Sequence, residues 1–291
     1  MPIALYLALA GIGIAAAAPP APSACGAVGA AREDFAMQVP FEVVDGRIYV
    51  HARVNGRGPF KFAVDTGASG LGRADASLVS ALGLAIQEKS TANSDGVQVA
   101  QADTVRIDSL DVGGLSRRDL QVVVRDYNGG MPPQAAFAGI VAREFFADGL
   151  LVIDYPRRIL SFSRKLSLSP GQEDVVQYRL PFRVPVSIAG VPTQGNLDTG
   201  ANVAFVLPQA LFEELPATRS LQRAGQGRLA NSQVETLRTT LHGPFRIGKA
   251  SLADVDVRVS ARYPELLVGA HALQHFAVLI DQRSRSIALC R

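Results

Sequence analysis

The chain has 291 residues, long for one domain and short for three, so one large unit or two of about 100–150 residues are expected. Hydrophobic residues at 48% against 19% charged make core-forming material and exclude extended disorder. The net charge is only +3 and no basic run with interleaved aromatics concentrates it, which excludes nucleic acid as a partner class.

Residues 2–18 are almost wholly apolar and uncharged, and Pro19, Pro20 and Pro22 then break the run. It stops short of the roughly 20 apolar residues of a transmembrane span. It reads as the h-region of a secretory signal covering residues 1–24, with export to the periplasm or the medium as the consequence. The usual basic n-region is missing, and an uncleaved anchor is the alternative. Residues 25–40 form an N-terminal extension. Cys25, in Ser23-Ala24-Cys25-Gly26, stands where a lipoprotein signal places its lipidated cysteine, yet Pro22 occupies the position where such signals prefer Leu. Three fates of Cys25 stay open: a lipid anchor, the sole membrane attachment expected; a disulfide to Cys290 in an oxidising compartment; or loss with the signal. Two cysteines at opposite ends make no metal cluster.

Past the extension, Ile48, Val50, Ala52 and Val54 alternate as in a half-buried strand. The turn Asn55-Gly56-Arg57-Gly58-Pro59 closes a hairpin whose return strand runs into Phe62-Ala63-Val64-Asp65-Thr66-Gly67-Ala68-Ser69. A short helix is expected over residues 75–82, ending at Gly83. An apolar strand over 150–154, a turn and a strand over 159–162 close the unit. Residues 165–177, with Ser167, Ser169, Pro170 and Gly171, read as a linker. The order then repeats: Phe182, Val184, Val186 and Ile188 alternate, Ala189-Gly190-Val191-Pro192 turns, and Gly195-Asn196-Leu197-Asp198-Thr199-Gly200-Ala201-Asn202 follows, its Asp 133 residues after the first. A helix over 208–215 stops at Pro216, and strands over 277–281 and 287–289 close the second unit. Residues 41–164 and 178–291 are thus read as two copies of one mostly β unit.

An Asp at a strand end followed by Thr and Gly is presented at a controlled angle. Gly lets backbone approach the carboxylate, and the stiff Thr can brace the loop through its hydroxyl. Two such loops related by a pseudo-two-fold axis would bring Asp65 and Asp198 face to face. Carboxylates that close share a proton. One can then draw a proton from water while the other donates to a carbonyl oxygen, which is the chemistry of peptide hydrolysis.

From residue 40 to the C-terminus the sequence resembles the retropepsin-like aspartic proteases in a duplicated single-chain form. The resemblance implies an all-β fold of two such lobes arranged as a pseudo-dimer with short helices, and Asp65 and Asp198 as the catalytic dyad. It implies that Thr66 and Thr199 interlock across the loops and that Gly67 and Gly200 complete the active-site turns. The family's second signature, two apolar residues and a Gly, is similar to Leu267-Val268-Gly269; the first copy has Ile140-Val141-Ala142, an Ala for Gly. A substrate-binding flap is expected at Asn93, Ser94, Asp95 and Gly96, with Leu229-Ala230-Asn231-Ser232 as its weaker counterpart.

The expectation is therefore an aspartic endopeptidase acting on a peptide or protein substrate, without cofactor or metal. Holding both halves of its site, it would have no need to dimerise. A non-catalytic peptide-binding protein on the same scaffold is the alternative, supported by Ala142 alone. His271 and His275 read as a solvated helix face, Ser69 as part of a turn, and Gly225-Gln226-Gly227-Arg228-Leu229-Ala230 as a loop rather than a dinucleotide fingerprint. Asp154 and Asp281 read as turn caps, and Arg157, Arg158, Arg283 and Arg285 as surface charges.

Overall fold

A computed structural model describes residues 23–30, 32–87, 91–216 and 220–291. The apolar segment read as a secretory signal lies outside them, apart from its last two residues. After helix α1 (Ala24–Ala30), the first half contains β1 (Met37–Pro40), β2 (Glu42–Val44), β3 (Arg47–Val54), β4 (Arg57–Asp65), β5 (Gly72–Asp75), α2 (Ala76–Leu82), β6 (Thr91–Ser94), β7 (Val99–Ala102), β8 (Thr104–Val112), β9 (Leu115–Arg125), β10 (Gly139–Ala142), β11 (Leu150–Asp154) and β12 (Ile159–Ser163). The second half contains β13 (Val175–Gln177), β14 (Arg183–Ile188), β15 (Val191–Asp198), β16 (Phe205–Pro208), α3 (Gln209–Glu214), β17 (Gln222–Arg228), β18 (Gln233–Leu241), β19 (Phe245–Ile247), β20 (Ala250–Leu252), β21 (Val255–Ser260), β22 (Leu266–Gly269), α4 (Ala270–Leu273), β23 (Ala277–Asp281) and β24 (Ser286–Cys290). The fold is all-β, with two lobes built on the same plan.

The first lobe is a seven-stranded sheet in the order β2-β3-β4-β10-β5-β9-β8, the second a nine-stranded sheet in the order β17-β18-β21-β16-β22-β15-β14-β19-β20. Local chemistry sets the elements. In β3 the side chains of Ile48, Val50, Ala52 and Val54 are buried while His51 and Arg53 are exposed, the period-two pattern of a half-buried strand. Asp75 caps α2 by accepting from the Ser77 N–H at 2.9 Å, and Gly83 ends it in the left-handed region at φ 64°.

A six-stranded sheet in the order β1-β12-β11-β23-β24-β13 runs beneath both lobes, three strands from each half. Strands β11 and β23 pair antiparallel at its centre, with Val152 opposite Leu279. These residues are equivalent in the two repeats, so the pseudo-two-fold axis passes between them. Strand β1 lies in the N-terminal extension and pairs with β12; β13 lies at the end of the linker and pairs with β24. Both segments therefore belong to the symmetric sheet, and their short, weakly patterned sequences hid it.

Apolar residues of the sheet's underside, Leu150, Val152, Leu168, Leu279 and Ala288, form a small separate core onto which α1 packs. Asp174 accepts from the Ala24 and Cys25 N–H groups at 2.9 and 3.0 Å, and Cys25 is disulfide-bonded to Cys290. Of the three fates open to Cys25, this bond occupies its sulfur. Arg283 is exposed, as expected of a turn-tip charge, but not free: its guanidinium grips the fully buried Asp281 at 2.9 and 3.0 Å and the Arg164 carbonyl, just before the linker, at 2.8 Å. Residues 225–228 are strand, not loop; β17 is an edge strand with mostly exposed side chains, so no apolar alternation marks it. Among the described residues no helix is long and apolar enough to cross a membrane.

Candidate active site

Strands β4 and β15 end on Asp65 and Asp198. In β4, Phe62 and Val64 enter the main core, and the alternation turns Ala63 and Asp65 to the opposite face. Each aspartate strand is flanked by a parallel partner, Ala142 opposite Asp65 in β10 and Gly269 opposite Asp198 in β22. Parallel pairing of four strands around the axis brings the two loops together at the lobe interface.

The threonines lock them. Thr66 N–H donates to Thr199 Oγ1 at 3.1 Å and Thr199 N–H to Thr66 Oγ1 at 3.0 Å. The hydroxyls donate in turn to carbonyls of the opposite lobe, Thr66 to Leu197 at 3.2 Å and Thr199 to Val64 at 2.9 Å. Both threonines are buried, so these four bonds satisfy groups that have no access to water, and each unmet one would cost about 1–3 kcal/mol.

The glycines bring each loop against the opposite carboxylate. A Cβ added to Gly67 would stand 2.5 Å from Asp198 Oδ2, and one added to Gly200 would stand 2.5 Å from Asp65 Oδ2. No side chain fits at either position. Asp65 Oδ1 accepts from the Gly67 and Ala68 N–H groups at 2.8 and 3.0 Å, and Asp198 Oδ1 from the Gly200 N–H at 2.8 Å. Burial and then the neighbouring Asp65 charge push the Asp198 carboxyl far above the usual carboxylate range, against the Gly200 hydrogen bond and the Arg47 cation.

Two arginines brace these loops. Arg47 reaches across the lobes, donating from Nε to the Gly200 carbonyl at 2.6 Å and from a terminal nitrogen to Asn202 Oδ1 at 3.2 Å. Arg143 donates to the Gly67 carbonyl at 3.3 Å. Neither lies in a motif that sequence reading could single out. The Ala for Gly at position 142 is accommodated: Ala142 is fully buried and its N–H reaches the Leu71 carbonyl at 3.3 Å. Gly269 has no such room, since a Cβ there would run into the Val203 carbonyl. Gly139 has no room either, since a Cβ there would run into the Arg73 carbonyl and the Phe62 ring.

Two hairpins, one from each lobe, reach toward each other. Asn93, Ser94, Asp95 and Gly96 form the end of the β6–β7 hairpin, and Leu229, Ala230, Asn231 and Ser232 the tip of β17–β18. The tips meet. Asp95 Oδ2 accepts from Asn231 N–H and from Ser232 Oγ, both at 2.8 Å, while Asn231 Nδ2 donates to the carbonyls of Asn93 at 2.6 Å and Gln98 at 2.9 Å. Tyr263 stands against Gly96, its ring 3.6 Å from where a Cβ would lie; burial and then the Asp198 charge drive its hydroxyl pKa up.

The histidines fall apart from the site: His271 Nε2 meets Asp45 Oδ1 at 3.1 Å across the lobe boundary, and His275 packs on Phe276. Ser69 Oγ accepts from Arg73 at 3.4 Å. Among the described residues no group of three or more His, Cys, Asp or Glu gathers to hold a metal.

Residues 50–150 match the family model described as aspartyl protease, and residues 184–275 the one described as gag-polyprotein putative aspartyl protease. No curated protein matches the sequence. Two aspartyl protease matches in tandem, on two lobes of one β plan, make this chain a two-repeat member of the retropepsin-like aspartic protease family.

Proposed function

We propose that this chain is an exported aspartic endopeptidase that cleaves extended peptide segments between its lobes, with Asp65 and Asp198 as the catalytic dyad. The observation that carries the reading is the reciprocal contact of each aspartate with the opposite loop's glycine, which sets both carboxylates at one point on the pseudo-two-fold axis. Asp198, the member whose carboxyl burial pushes up, holds the shared proton, and Asp65 is the base. Asp65 draws a proton from water as the water oxygen attacks the peptide carbonyl; Asp198 gives its proton to the carbonyl oxygen. The resulting diol collapses as Asp65 gives its proton to the nitrogen, the C–N bond breaks and a diol hydroxyl returns a proton to Asp198, so the dyad is restored and no covalent enzyme intermediate forms. The hairpin tips exclude solvent and offer backbone groups to an extended substrate. The Cys25–Cys290 disulfide supports export, because such bonds persist in oxidising compartments.

Incubation of the purified chain with a random peptide pool, with cut sites mapped by mass spectrometry, tests the activity. Asp65→Asn should lower cleavage at least ~10³-fold with the fold intact by circular dichroism. Absence of cuts across about pH 3 to 8 refutes the peptidase and leaves the peptide-binding alternative.

A further inference from the structure

Among the described residues, no salt bridge neutralises one buried cation of the first lobe. Arg73, in β5, is only 8% exposed. Its hydrogen bonds are long and go to neutral acceptors, Asn93 Oδ1 at 3.2 Å and the Ser69 carbonyl and hydroxyl at 3.4 Å, and the Tyr127 hydroxyl lies beside it. The nearby buried carboxylate of Asp75 is engaged elsewhere, accepting from the N–H and hydroxyl of Ser77 and from the Tyr127 N–H. Burying a guanidinium without a counter-charge is costly, so its retention calls for a partner.

The surroundings repeat the signal. Arg125 donates one hydrogen bond, to the Ala230 carbonyl at 3.3 Å, while its Nε and a terminal nitrogen are buried with no acceptor. Asn93 Nδ2 and the Tyr127 hydroxyl are likewise buried and unmet. Against these four donor-capable atoms the same region leaves one unmet acceptor, Asn231 Oδ1. The groups are contiguous: Arg73 bonds Asn93, Asn93 bonds Asn231, and Arg125 reaches the neighbouring Ala230. Burial drives the Tyr127 hydroxyl pKa up, Arg73 and Arg125 oppose it, and the Asp65 charge also bears on it, so the cluster borders the dyad.

Strand register gives the same placement. Ile140 in β10 pairs on one side with Ala63 and on the other with Arg73. Ala63 is two residues before Asp65 and packs with Ile140, Tyr49 and Phe137 on the face away from the main core. Arg73 thus lies in the row two residues along the strands from that of Asp65 and Ala142, and Asn93 of the β6–β7 hairpin bonds it.

We infer that Arg73, Arg125, Asn93 and Tyr127 form a subsite for a carboxylate of the substrate, so that the peptidase selects peptides with an acidic group close to the cleaved bond. A carboxylate offers two oxygens to the planar fork of Arg73 and further lone pairs to Arg125 and Tyr127, satisfying charge and hydrogen bonds together. The inference rests on the peptidase reading, because it names the substrate class of that same cleft.

The test pairs cleavage with binding. Matched peptides carry Glu or Gln at each position around a mapped cut, and a free or amidated C-terminus, which separates a side-chain carboxylate from a terminal one. The wild-type chain should prefer the carboxylate form by about 10-fold or more in kcat/KM at one position. In Arg73→Met that ratio should fall to near one, and Arg73→Lys should keep part of it; if Arg73→Met does not fold, Arg125→Met carries the comparison. Fluorescence anisotropy with the Asp65→Asn chain reads the same preference without turnover. Absence of carboxylate discrimination in both assays, or a ratio untouched in folded Arg73→Met, overturns the subsite. Discrimination in binding without any cleavage by the wild type upholds the subsite and overturns the peptidase reading alone.

Discussion

Two identical tripeptides set Asp65 and Asp198 against each other's loops, and Asp198 shows the consequence for stability. Its carboxyl pKa lies above that of an unfolded Asp because burial and the Asp65 charge disfavour the anion. The folded chain therefore keeps this proton where the unfolded chain has lost it, and the stability linked to it falls as pH rises above about 4 toward the raised value. Asp148 has the opposite sign. Partial burial raises it, but hydrogen bonds and charge from Arg117 and Arg164 outweigh that and hold it at about 2, so its contribution is lost only as pH falls toward that value. Asp198→Asn should then melt a few degrees above the wild type at about pH 7.5 and gain less at about pH 4. Thermal unfolding at the two pH values checks it, and a gain that is equal or larger in acid contradicts the linkage. Both tripeptides were legible in the sequence because they are identical and sit after matching hairpins; the raised pKa of Asp198 was not, because it depends on what folding packs around the carboxyl.

At the scale of elements, the hairpin tips form a latch across the cleft. Burial disfavours the Asp95 anion, but hydrogen bonds from Gln98, Val97, Ser232 and Asn231 together outweigh it and lower the carboxyl pKa. The latch is therefore complete above the ordinary carboxyl range and weakens as pH falls through the lowered value. Asp95→Asn replaces an anionic acceptor by a neutral amide, which should loosen both tips. Amide hydrogen exchange at Val97, Gln98 and Asn231 should rise about 10-fold or more, with β8 and β9 unchanged as internal reference. Unchanged exchange at these amides would show that the tips are held by other contacts. The first tip was readable from Asn93-Ser94-Asp95-Gly96, a turn flanked by strand formers. The second, Leu229-Ala230-Asn231-Ser232, gave a weaker signal because it follows a polar edge strand, and the meeting of the two is a contact between residues 136 apart, which no local pattern records.

In the whole molecule, the six-stranded sheet and the disulfide bind the two repeats from below. The Cys25–Cys290 bond spans 265 residues, nearly the whole described chain, and pins α1 onto the core beneath the axis. Replacing both cysteines by Ser should cost roughly 2–5 kcal/mol. Unfolding should remain one transition, because β11 and β23 continue to pair the lobes through Val152 and Leu279. Calorimetry of the two proteins checks both statements; two separate transitions in the variant would show that the sheet alone does not couple the repeats.

The sequence by itself determined the repeated β unit, the paired aspartates and their threonines and glycines, since hydrophobic period, turn residues and short motifs are local and duplication prints them twice. Only the tertiary structure decided the rest: that β1 and β13 join the central sheet, that Arg47 and Arg143 brace the aspartate loops, that Arg283 grips Asp281, and that Arg73 is buried with no carboxylate partner among the described residues. These are matters of burial and long-range pairing. An arginine reads alike in sequence whether it ends in solvent, against a carbonyl of the other lobe, or buried beneath a hairpin, because its energy is fixed by the neighbours that folding brings to it.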